Sequence, residues 1–209
     1  MTGLAVVIPV KSSAGKSRLS SVLAPDQRAE FGRLLLEDVL AALAGAGLAE
    51  RCFVVSSDRG VLDLAERRGA RGVPEEADSG VNDAVEAGAR ASRAERLLVL
   101  PSDLPLLAPA DIQAVIGLAD RGADVVISPS VAFDGTNALL FRADAGLQLS
   151  YDRNSFWNHL ASAAAMGLSV GVSTRPGIML DIDSPDDFRG LAASGSTGRA
   201  ARFSRTAVG

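Results

Sequence analysis

Short apolar runs alternate with segments of helical periodicity over the first 127 residues, and this alternation constrains the fold more than any other feature of the sequence. The first run, residues 4–10, is apolar throughout, which predicts a strand buried on both faces of a sheet. Further strands are predicted at 51–57, 70–74, 96–100 and 123–127, and helices at 26–46, 60–68, 83–94 and 110–119. The pattern predicts an α/β fold with a mostly parallel central sheet and helices on both faces.

The remainder of the chain departs from this repetition. Strands are predicted at 137–141, 168–173 and 178–182, and helices at 155–167 and 186–193. We interpret residues 1–193 as a single domain, because 209 residues suffice for one large core. Residues 194–209 are rich in glycine, serine and arginine, which predicts a disordered tail.

Composition argues against several function classes. The net charge of −4 argues against general nucleic-acid binding, and no apolar run reaches the length of a membrane span. The N-terminus leads directly into the first strand without the features of a signal peptide. Cys52 is the only cysteine and lies in an apolar run, so we expect a buried thiol and no disulfide. We therefore expect a cytoplasmic protein without nucleic-acid or membrane partners, and the sequence leaves its oligomeric state open, a homodimer included.

The loop after the first strand carries both lysines of the chain, Lys11 and Lys16, although arginine is used almost everywhere else. Coding bias alone is one explanation, but compact ammonium groups in a glycine- and serine-containing loop also favour phosphate binding. The glycine-lysine-serine run in this loop is not a P-loop, because Val10 stands where that motif requires a glycine. We predict that backbone N–H groups near Gly15, together with Lys11, Lys16 and Arg18, cradle phosphate.

Three aspartates form a candidate metal site. Asp181 and Asp183 alternate with an isoleucine after an apolar run, so a strand would send both carboxylates to one face. Asp103 follows the strand predicted at 96–100, at the same sheet edge as the lysine loop. Two carboxylates on one face repel each other unless a cation lies between them, and Mg²⁺ takes carboxylate and phosphate oxygens. We hypothesise that the three aspartates meet around Mg²⁺ bound to a nucleoside triphosphate.

The same stretch has a second, structural interpretation. Residues 184–187 read as a typical helix N-terminus, with a serine cap, a proline at the first helical position and two acids in the first turn. This interpretation explains the two acids inside the helix. The aspartate pair at 181 and 183 precedes the cap, so for that pair the residues alone leave both interpretations open.

Several motifs resemble those of one known family, in the same order and over most of residues 4–190. The motifs are PVKSSAGKSRLS, the VN of SGVND, LPSDLPLL, DGTNALL, SFWNH and LDIDSPDDF. On these motifs the chain resembles the 2-phospho-L-lactate guanylyltransferase family, which includes phosphoenolpyruvate and 3-phospho-D-glycerate guanylyltransferases of coenzyme F(420) biosynthesis. The resemblance implies a Rossmann-like nucleotidyltransferase fold and transfer of GMP from GTP to a small phosphorylated acid.

The resemblance also implies roles for individual residues. The first loop would hold the GTP phosphates, with Lys16 as a catalytic residue. Asp103, Asp181 and Asp183 would hold Mg²⁺, and Asp103 would also be catalytic. Such a reaction needs charge neutralisation and alignment rather than a general base, because a phosphate nucleophile is already ionised at neutral pH. A chain with one histidine and no credible nucleophilic triad fits this requirement.

The phosphorylated acid would be bound by Thr136 and by the N-terminus of the helix that begins at Ser155, as the resemblance implies. Relatives commonly have glycines between an aromatic residue and that serine, whereas this chain reads YDRNS at 151–155. Asp152 therefore stands where the family meets the acid with its backbone. A carboxylate beside a dianionic phosphate is unfavourable unless Arg153 or Mg²⁺ compensates its charge. We expect this departure to bear on which acid is used more than on the reaction.

Two further residues have both a functional and a structural interpretation. Asn82 would hydrogen-bond the guanine or ribose of GTP, or it would serve as a helix N-cap. His159 lies four residues after Ser155 and so on the same helix face. It would donate to the carboxylate or phosphate of the acid, or it would bond locally within the protein.

Two other functions compete with guanylyl transfer. One is a nucleotidyltransferase of the same fold that acts on molybdopterin or a sugar phosphate. The other is a regulator that binds GTP without consuming it. A dinucleotide-dependent oxidoreductase is disfavoured, because no G-x-G-x-x-G motif follows the first strand.

Overall fold

The computed structural model describes residues 3–11, 16–77 and 79–208, and one mixed sheet forms its centre. The strands are β1 Leu4–Pro9, β2 Cys52–Ser56, β3 Arg71–Pro74, β4 Arg96–Val99, β5 Val125–Pro129, β6 Thr136–Arg142 and β7 Val170–Val172. In this part of the chain the sheet has seven strands in the order β3-β2-β1-β4-β6-β5-β7. Only β6 runs antiparallel to its neighbours among these strands, so the prediction of a mostly parallel sheet is confirmed.

Helices connect most of the strands. They are α1 Pro25–Gly45, α2 Arg59–Arg67, α3 Val81–Ser92, α4 Pro109–Asp120, α5 Ser155–Ala165, α6 Pro176–Met179, α7 Pro185–Ala193 and α8 Arg199–Val208, with 3₁₀ turns at Ser17–Leu19 and Ala49–Arg51. The predicted helices correspond to α1 to α5 and α7, with ends that differ by a few residues. Within the described residues, no helix is both long and apolar enough to cross a membrane.

The sheet is covered on both faces, because its strands alternate their side chains between two apolar layers. In β1, Val6 and Ile8 belong to the layer with α1, α2 and α4, whereas Val7 belongs to the layer with α3 and α5. Cys52 lies in the first layer and has no exposed surface. Gly88 lets α3 approach closely, because a Cβ atom there would lie 2.5 Å from a Val7 methyl carbon. The predicted burial of the first strand on both faces is confirmed.

The direction of β6 decides which loops meet at one edge of the sheet. The parallel strands β1, β2 and β4 end there and are followed by Lys11, Asp58 and Asp103. β6 runs the opposite way, so it begins at this edge, and its first residue is Thr136. The reversal therefore brings the DGTN segment to the carboxyl ends of the parallel strands, where ligands bind in open α/β sheets.

One predicted strand is wrong. The prediction placed a strand at 178–182, but Pro176–Met179 forms the short helix α6, and residues 180–183 belong to no strand. The side-chain amide of Asn137 donates to the last two carbonyl oxygens of α6, at 2.9 and 3.0 Å. Because a buried side chain satisfies these carbonyl groups, α6 packs against β5 and β6 without pairing with them as a strand.

The predicted disorder of residues 194–209 differs from the structure, in which α8 packs against α1 and α7. Three small residues of α8 are buried, and the ring of Phe203 stacks on Phe31 with centroids 5.6 Å apart. The carboxylate of Asp38 on α1 accepts hydrogen bonds from the first two N–H groups of α8, at 3.0 and 2.9 Å. The polar composition indicated disorder, but the small side chains are stable in a helix once α1 and α7 cover them.

We expect Asp38→Ala to lower the free energy of unfolding by about 2 kcal/mol, because it removes a mostly buried carboxylate that caps α8. Urea denaturation of both proteins measures the change. Asp63→Ala is a matched control, since it breaks an exposed ion pair with Arg59 (2.8 Å) and should cost less than about 1 kcal/mol. Equal losses in the two variants would contradict a special role of Asp38 in holding α8.

Candidate active site

A cavity of about 950 Å³ opens at the carboxyl edge of the parallel strands. Its walls include the loop after β1, the first half of α1 and both ends of α2. The residues that follow β4, the start of β6 and the segments before α5 and α7 complete them. Eight residues proposed from the sequence line it: Lys11, Lys16, Arg18, Asp103, Thr136, Asp152, Asp181 and Asp183. The fold thus brings together these side chains from five separate parts of the sequence.

Lys16 joins the two acidic segments in this cavity. Its ammonium group donates to Asp103 Oδ2 at 2.6 Å and to the carbonyl oxygen of Ile182, and it lies 3.5 Å from Asp183 Oδ1. The lysine loop ends in the 3₁₀ turn Ser17–Leu19, whose last residue is fully buried. This buried anchor, directly after Lys16, holds the end of the loop against the protein.

The Lys16 ammonium stays charged although most of it is buried. Burial by itself acts to lower the pKa of Lys16, but the carboxylates of Asp103, Asp183 and Asp181 together raise that pKa above its ordinary value. Arg18 adds a second cation, 3.1 Å from Asp183. Both cations are paired with carboxylates here, and their N–H groups are of the type that binds phosphate oxygens.

A backbone hydrogen bond holds the two acidic segments beside each other. The N–H group of Ile182 donates to the carbonyl oxygen of Asp103 at 3.3 Å. The side chain of Ile182 is fully buried, while Asp181 and Asp183 on either side of it line the cavity. Asp181 and Asp183 therefore both face the cavity, as predicted, although no strand forms there. The buried side chain of Ile182 between them holds the segment against the protein.

Asn137 orients Asp181. Its side-chain NH₂ group donates to Asp181 Oδ1 at 3.2 Å, in addition to the α6 carbonyl groups. Burial raises the pKa of Asp181 to about 6, an effect that the charges of Asp103 and Asp183 increase and the Asn137 hydrogen bond opposes. Asn137 was not predicted from the sequence, although its place in the DGTN motif beside Thr136 was an available signal.

The three aspartates offer only oxygen ligands, which is the donor chemistry that Mg²⁺ prefers. In the described part of the chain, however, no three acidic, histidine or cysteine side chains already stand close enough to hold a metal ion. The cation that Asp103 and Asp183 share is the Lys16 ammonium. Mg²⁺ is commonly held by one or two carboxylates together with phosphates and water, so these residues fit a metal that arrives with a nucleotide.

Thr136 lines the cavity at the start of β6 and is itself mostly buried. Its hydroxyl oxygen lies 3.0 Å from Nδ1 of His159, whose ring has no exposed surface. The N–H group of Ser150 donates to Nε2 of the same ring at 3.0 Å. Burial lowers the pKa of His159 to about 4. Of the two interpretations of His159, the geometry favours local bonding, because the ring does not reach the cavity.

Two other residues proposed for binding lie behind the cavity wall. Oδ1 of Asn82 accepts a hydrogen bond from the N–H group of Tyr151 at 3.0 Å, and Gly80 rather than Asn82 precedes the first residue of α3. Asn82 is therefore neither a helix cap nor a cavity residue. Ser155 is the first residue of α5 and is buried, so its side chain does not line the cavity either.

The remaining proposed residues have different outcomes. Lys11 and Asp152 are exposed and line the cavity, so the extra carboxylate of this chain stands where a ligand would meet it. Asn154 adopts a left-handed conformation (φ 59°) between Asp152 and α5 and turns the chain into that helix. Gly15 lies outside the described residues.

Three arginines that were not predicted as site residues also line the cavity: Arg28 and Arg33 on α1, and Arg67 on α2. Arg28 donates to the carbonyl oxygen of Leu23 at 2.9 Å, and Arg33 pairs with Glu30 at 2.8 Å. Arginines are spread over the whole chain, so no sequence signal selects these three. Only the packing of α1 and α2 beside the sheet edge brings their charge to the cavity, where it favours an anionic ligand.

The chain matches one protein family over nearly its whole length. The family model described as guanylyl transferase CofC like matches residues 4–207. A phosphoenolpyruvate guanylyltransferase from Rubrobacter xylanophilus is 46% identical over 193 residues, which cover 90% of this chain and 93% of the relative. A 2-phospho-L-lactate guanylyltransferase from Methanothermobacter thermautotrophicus is 34% identical, covering 95% and 88%. A 3-phospho-D-glycerate guanylyltransferase from Phenylobacterium zucineum is 33% identical, covering 87% and 86%.

Solved structures share the fold at low sequence identity. A protein described as a nucleotide-diphospho-sugar transferase from Desulfovibrio desulfuricans is similar over 99% of this chain and 95% of its own, with a TM-score of 0.76 and 15% identity. A nucleotidyl transferase from Methanothermobacter thermautotrophicus covers 99% and 100%, with a TM-score of 0.67 and 17% identity. These two likenesses establish the Rossmann-like nucleotidyltransferase fold. From the family match and the relatives above 30% identity, the chain belongs to the CofC-like guanylyltransferase family.

Proposed function

We propose that the chain moves GMP from GTP onto the phosphate of a small phosphorylated carboxylic acid and releases pyrophosphate, as a step of coenzyme F(420) biosynthesis. The observation that carries the proposal is one cavity that contains both Thr136 and the Lys16 ammonium bound to Asp103 and Asp183. Family membership supports the reaction class. Three relatives are named for this transfer to three different acids, each with a phosphate and a carboxylate.

In this reaction an oxygen of the acid's phosphate attacks the α-phosphorus of GTP. A new P–O bond forms, the bond between that phosphorus and the oxygen bridging to the β-phosphate breaks, and pyrophosphate leaves. Two anions must approach each other, so catalysis is mainly charge neutralisation and alignment. Lys11, Lys16 and Arg18 supply positive charge at the triphosphate. The phosphate nucleophile is already ionised, so the reaction needs no base, and the buried His159 does not serve as one.

Mg²⁺ is the metal that suits this site. Asp103, Asp181 and Asp183 would hold it with phosphate oxygens, and the bound ion would neutralise and orient the phosphates. Asn137 prepares Asp181 for this role, because it engages one carboxylate oxygen and leaves the other available. The Lys16 ammonium offsets part of the negative charge of Asp103 and Asp183 before any ligand is bound and so helps to keep the two acidic segments together.

Among the three acids, we favour phosphoenolpyruvate. The relative named for it is 46% identical to this chain, whereas those named for 2-phospho-L-lactate and 3-phospho-D-glycerate are 34% and 33% identical.

Asp152 lies in the cavity and would repel a carboxylate of the bound acid near it. The acid's own carboxylate must therefore be placed away from Asp152 or beside a cation.

We expect GTP and Mg²⁺ to yield pyrophosphate with phosphoenolpyruvate, and less with 2-phospho-L-lactate or 3-phospho-D-glycerate. The measurement is pyrophosphate release, with the guanylylated product identified by mass. ATP, CTP and UTP tested beside GTP distinguish another nucleotidyltransferase, and GTP binding without turnover distinguishes a regulator. No pyrophosphate from GTP with any of the three acids would contradict the proposed function.

We expect Asp103→Asn and Asp183→Asn each to lower turnover by about 100-fold or more, because each removes a charged ligand of the phosphate-bound cation. Circular dichroism and urea denaturation of each variant establish that it is folded. Asp186→Asn is the matched control, since this aspartate is exposed in the first turn of α7 and pairs only with Arg189 among the described contacts. Full activity in both site variants would exclude the metal arrangement proposed here.

A further inference from the structure

His159 is held between two partners with different hydrogen-bonding abilities. Its Nε2 atom accepts from the backbone N–H group of Ser150 at 3.0 Å, and its Nδ1 atom lies 3.0 Å from the hydroxyl oxygen of Thr136. The ring is fully buried, and the ring of Tyr151 packs against it edge to face, with centroids 4.8 Å apart. Both ring nitrogens are engaged, so the imidazole is held in one orientation.

The Ser150 contact determines which ring nitrogen carries the proton. A backbone N–H group can only donate, so Nε2 is an acceptor and carries no hydrogen. Burial lowers the pKa of His159 to about 4, so the ring is neutral near pH 7 and its one proton lies on Nδ1. Nδ1–H then donates to Thr136, and the threonine oxygen is the acceptor of this hydrogen bond.

The hydroxyl hydrogen of Thr136 is consequently left for another partner. Within the described residues, His159 is the one side-chain partner of this hydroxyl, and Thr136 lines the cavity. A hydroxyl that already accepts from His159 meets a ligand chiefly as a donor. Ionised phosphate and carboxylate oxygens only accept, so they are the ligand groups that match it.

Neighbouring contacts keep the Ser150 N–H group in place. Asn82 accepts from the N–H group of the next residue, Tyr151, at 3.0 Å. Asn158 donates to the Ser150 hydroxyl at 3.1 Å and to the carbonyl oxygen of Arg153 at 3.0 Å. Two asparagines thus fix the segment that sets the protonation of His159, which gives Asn82 a role behind the cavity wall.

We propose that His159 is a positioning residue, whose fixed Nδ1–H tautomer makes the Thr136 hydroxyl a dedicated donor to an anionic group of the acceptor acid. This inference rests on the proposed function, because it takes the phosphorylated acid as the ligand of Thr136. His159 does not touch the substrate. Its influence passes through Thr136, so it changes binding of the acid and leaves binding of GTP unchanged.

The tautomer can be measured directly, because His159 is the only histidine of the chain. We expect ¹⁵N NMR of untagged, histidine-labelled protein at pH 7 to show a protonated Nδ1 and an unprotonated Nε2. A protonated Nε2, or an imidazolium ring at this pH, would overturn the proposal. The measurement needs no turnover, so its result is independent of whether guanylyl transfer is observed.

Two substitutions test the two hydrogen bonds of His159 one at a time. His159→Asn places an amide near the Nδ1 position and retains a donor for Thr136, whereas His159→Gln reaches the Nε2 position and loses that donor. We expect His159→Gln to raise KM for phosphoenolpyruvate about tenfold, and His159→Asn to raise it less than about threefold. KM for GTP should stay unchanged in both. Equal effects of the two variants on both substrates would indicate a merely structural role and overturn the proposal.

Thr136→Val completes a double-mutant cycle, because it removes the hydroxyl with little change of shape. If His159 acts through that hydroxyl, the double variant Thr136→Val/His159→Gln has the same KM for the acid as Thr136→Val alone. A double variant whose KM for the acid rises by the product of the two single effects would contradict this coupling. Ala164→Gln, at an exposed position of α5, is the control and should retain both KM values. A wild-type protein inactive with all three acids would instead count against the proposed function.

Discussion

The ammonium group of Lys16 connects two acidic segments that would otherwise repel each other. It bonds Asp103, which lies 87 residues further along the chain, and the carbonyl oxygen between Asp181 and Asp183. Burial of a charge is costly unless an opposite charge accompanies it, and here each partner supplies that compensation to the other. The end of the lysine loop at Lys16, the end of β4 and the segment before α7 are held at one sheet edge by this interaction, and a phosphate-bound cation would meet the same carboxylates.

The site also depends on the reversed direction of β6 within an otherwise parallel sheet. A parallel strand at this place would carry its first residue to the opposite edge, away from the lysine loop. The antiparallel β6 instead begins beside the carboxyl ends of β1 and β4, so Thr136 and Asn137 lie next to the acidic segments. Asn137 then bonds Asp181 and both final carbonyl groups of α6. One short segment therefore contributes to both the proposed acceptor side and the proposed metal side of the cavity.

At the proposed acceptor side, the hydrogen bonds of His159 and Thr136 would orient a ligand, whereas at the proposed nucleotide side charged groups would do so. His159 is buried and uncharged, and its contacts with Ser150 and Thr136 use its hydrogen-bonding asymmetry rather than charge. An additional positive charge there would bind anions of many kinds. A directed hydroxyl donor instead favours a ligand that places one oxygen at one position, which suits discrimination between small acids that differ by a few atoms.

The sequence by itself determined the α/β fold and the burial of β1 on both faces. It also determined which lysine and aspartate segments are candidates for the site. Apolar periodicity and local motifs are properties of neighbouring residues, so they can be read without the fold. It did not determine that residues 178–182 lack a strand or that α8 forms, because both depend on distant partners, Asn137 and α1. The sequence also did not show that His159 and Asn82 lie behind the cavity wall, or that the arginines of α1 line the cavity. Those placements were decided by tertiary packing, since which face of a helix meets the ligand depends on what covers the other face.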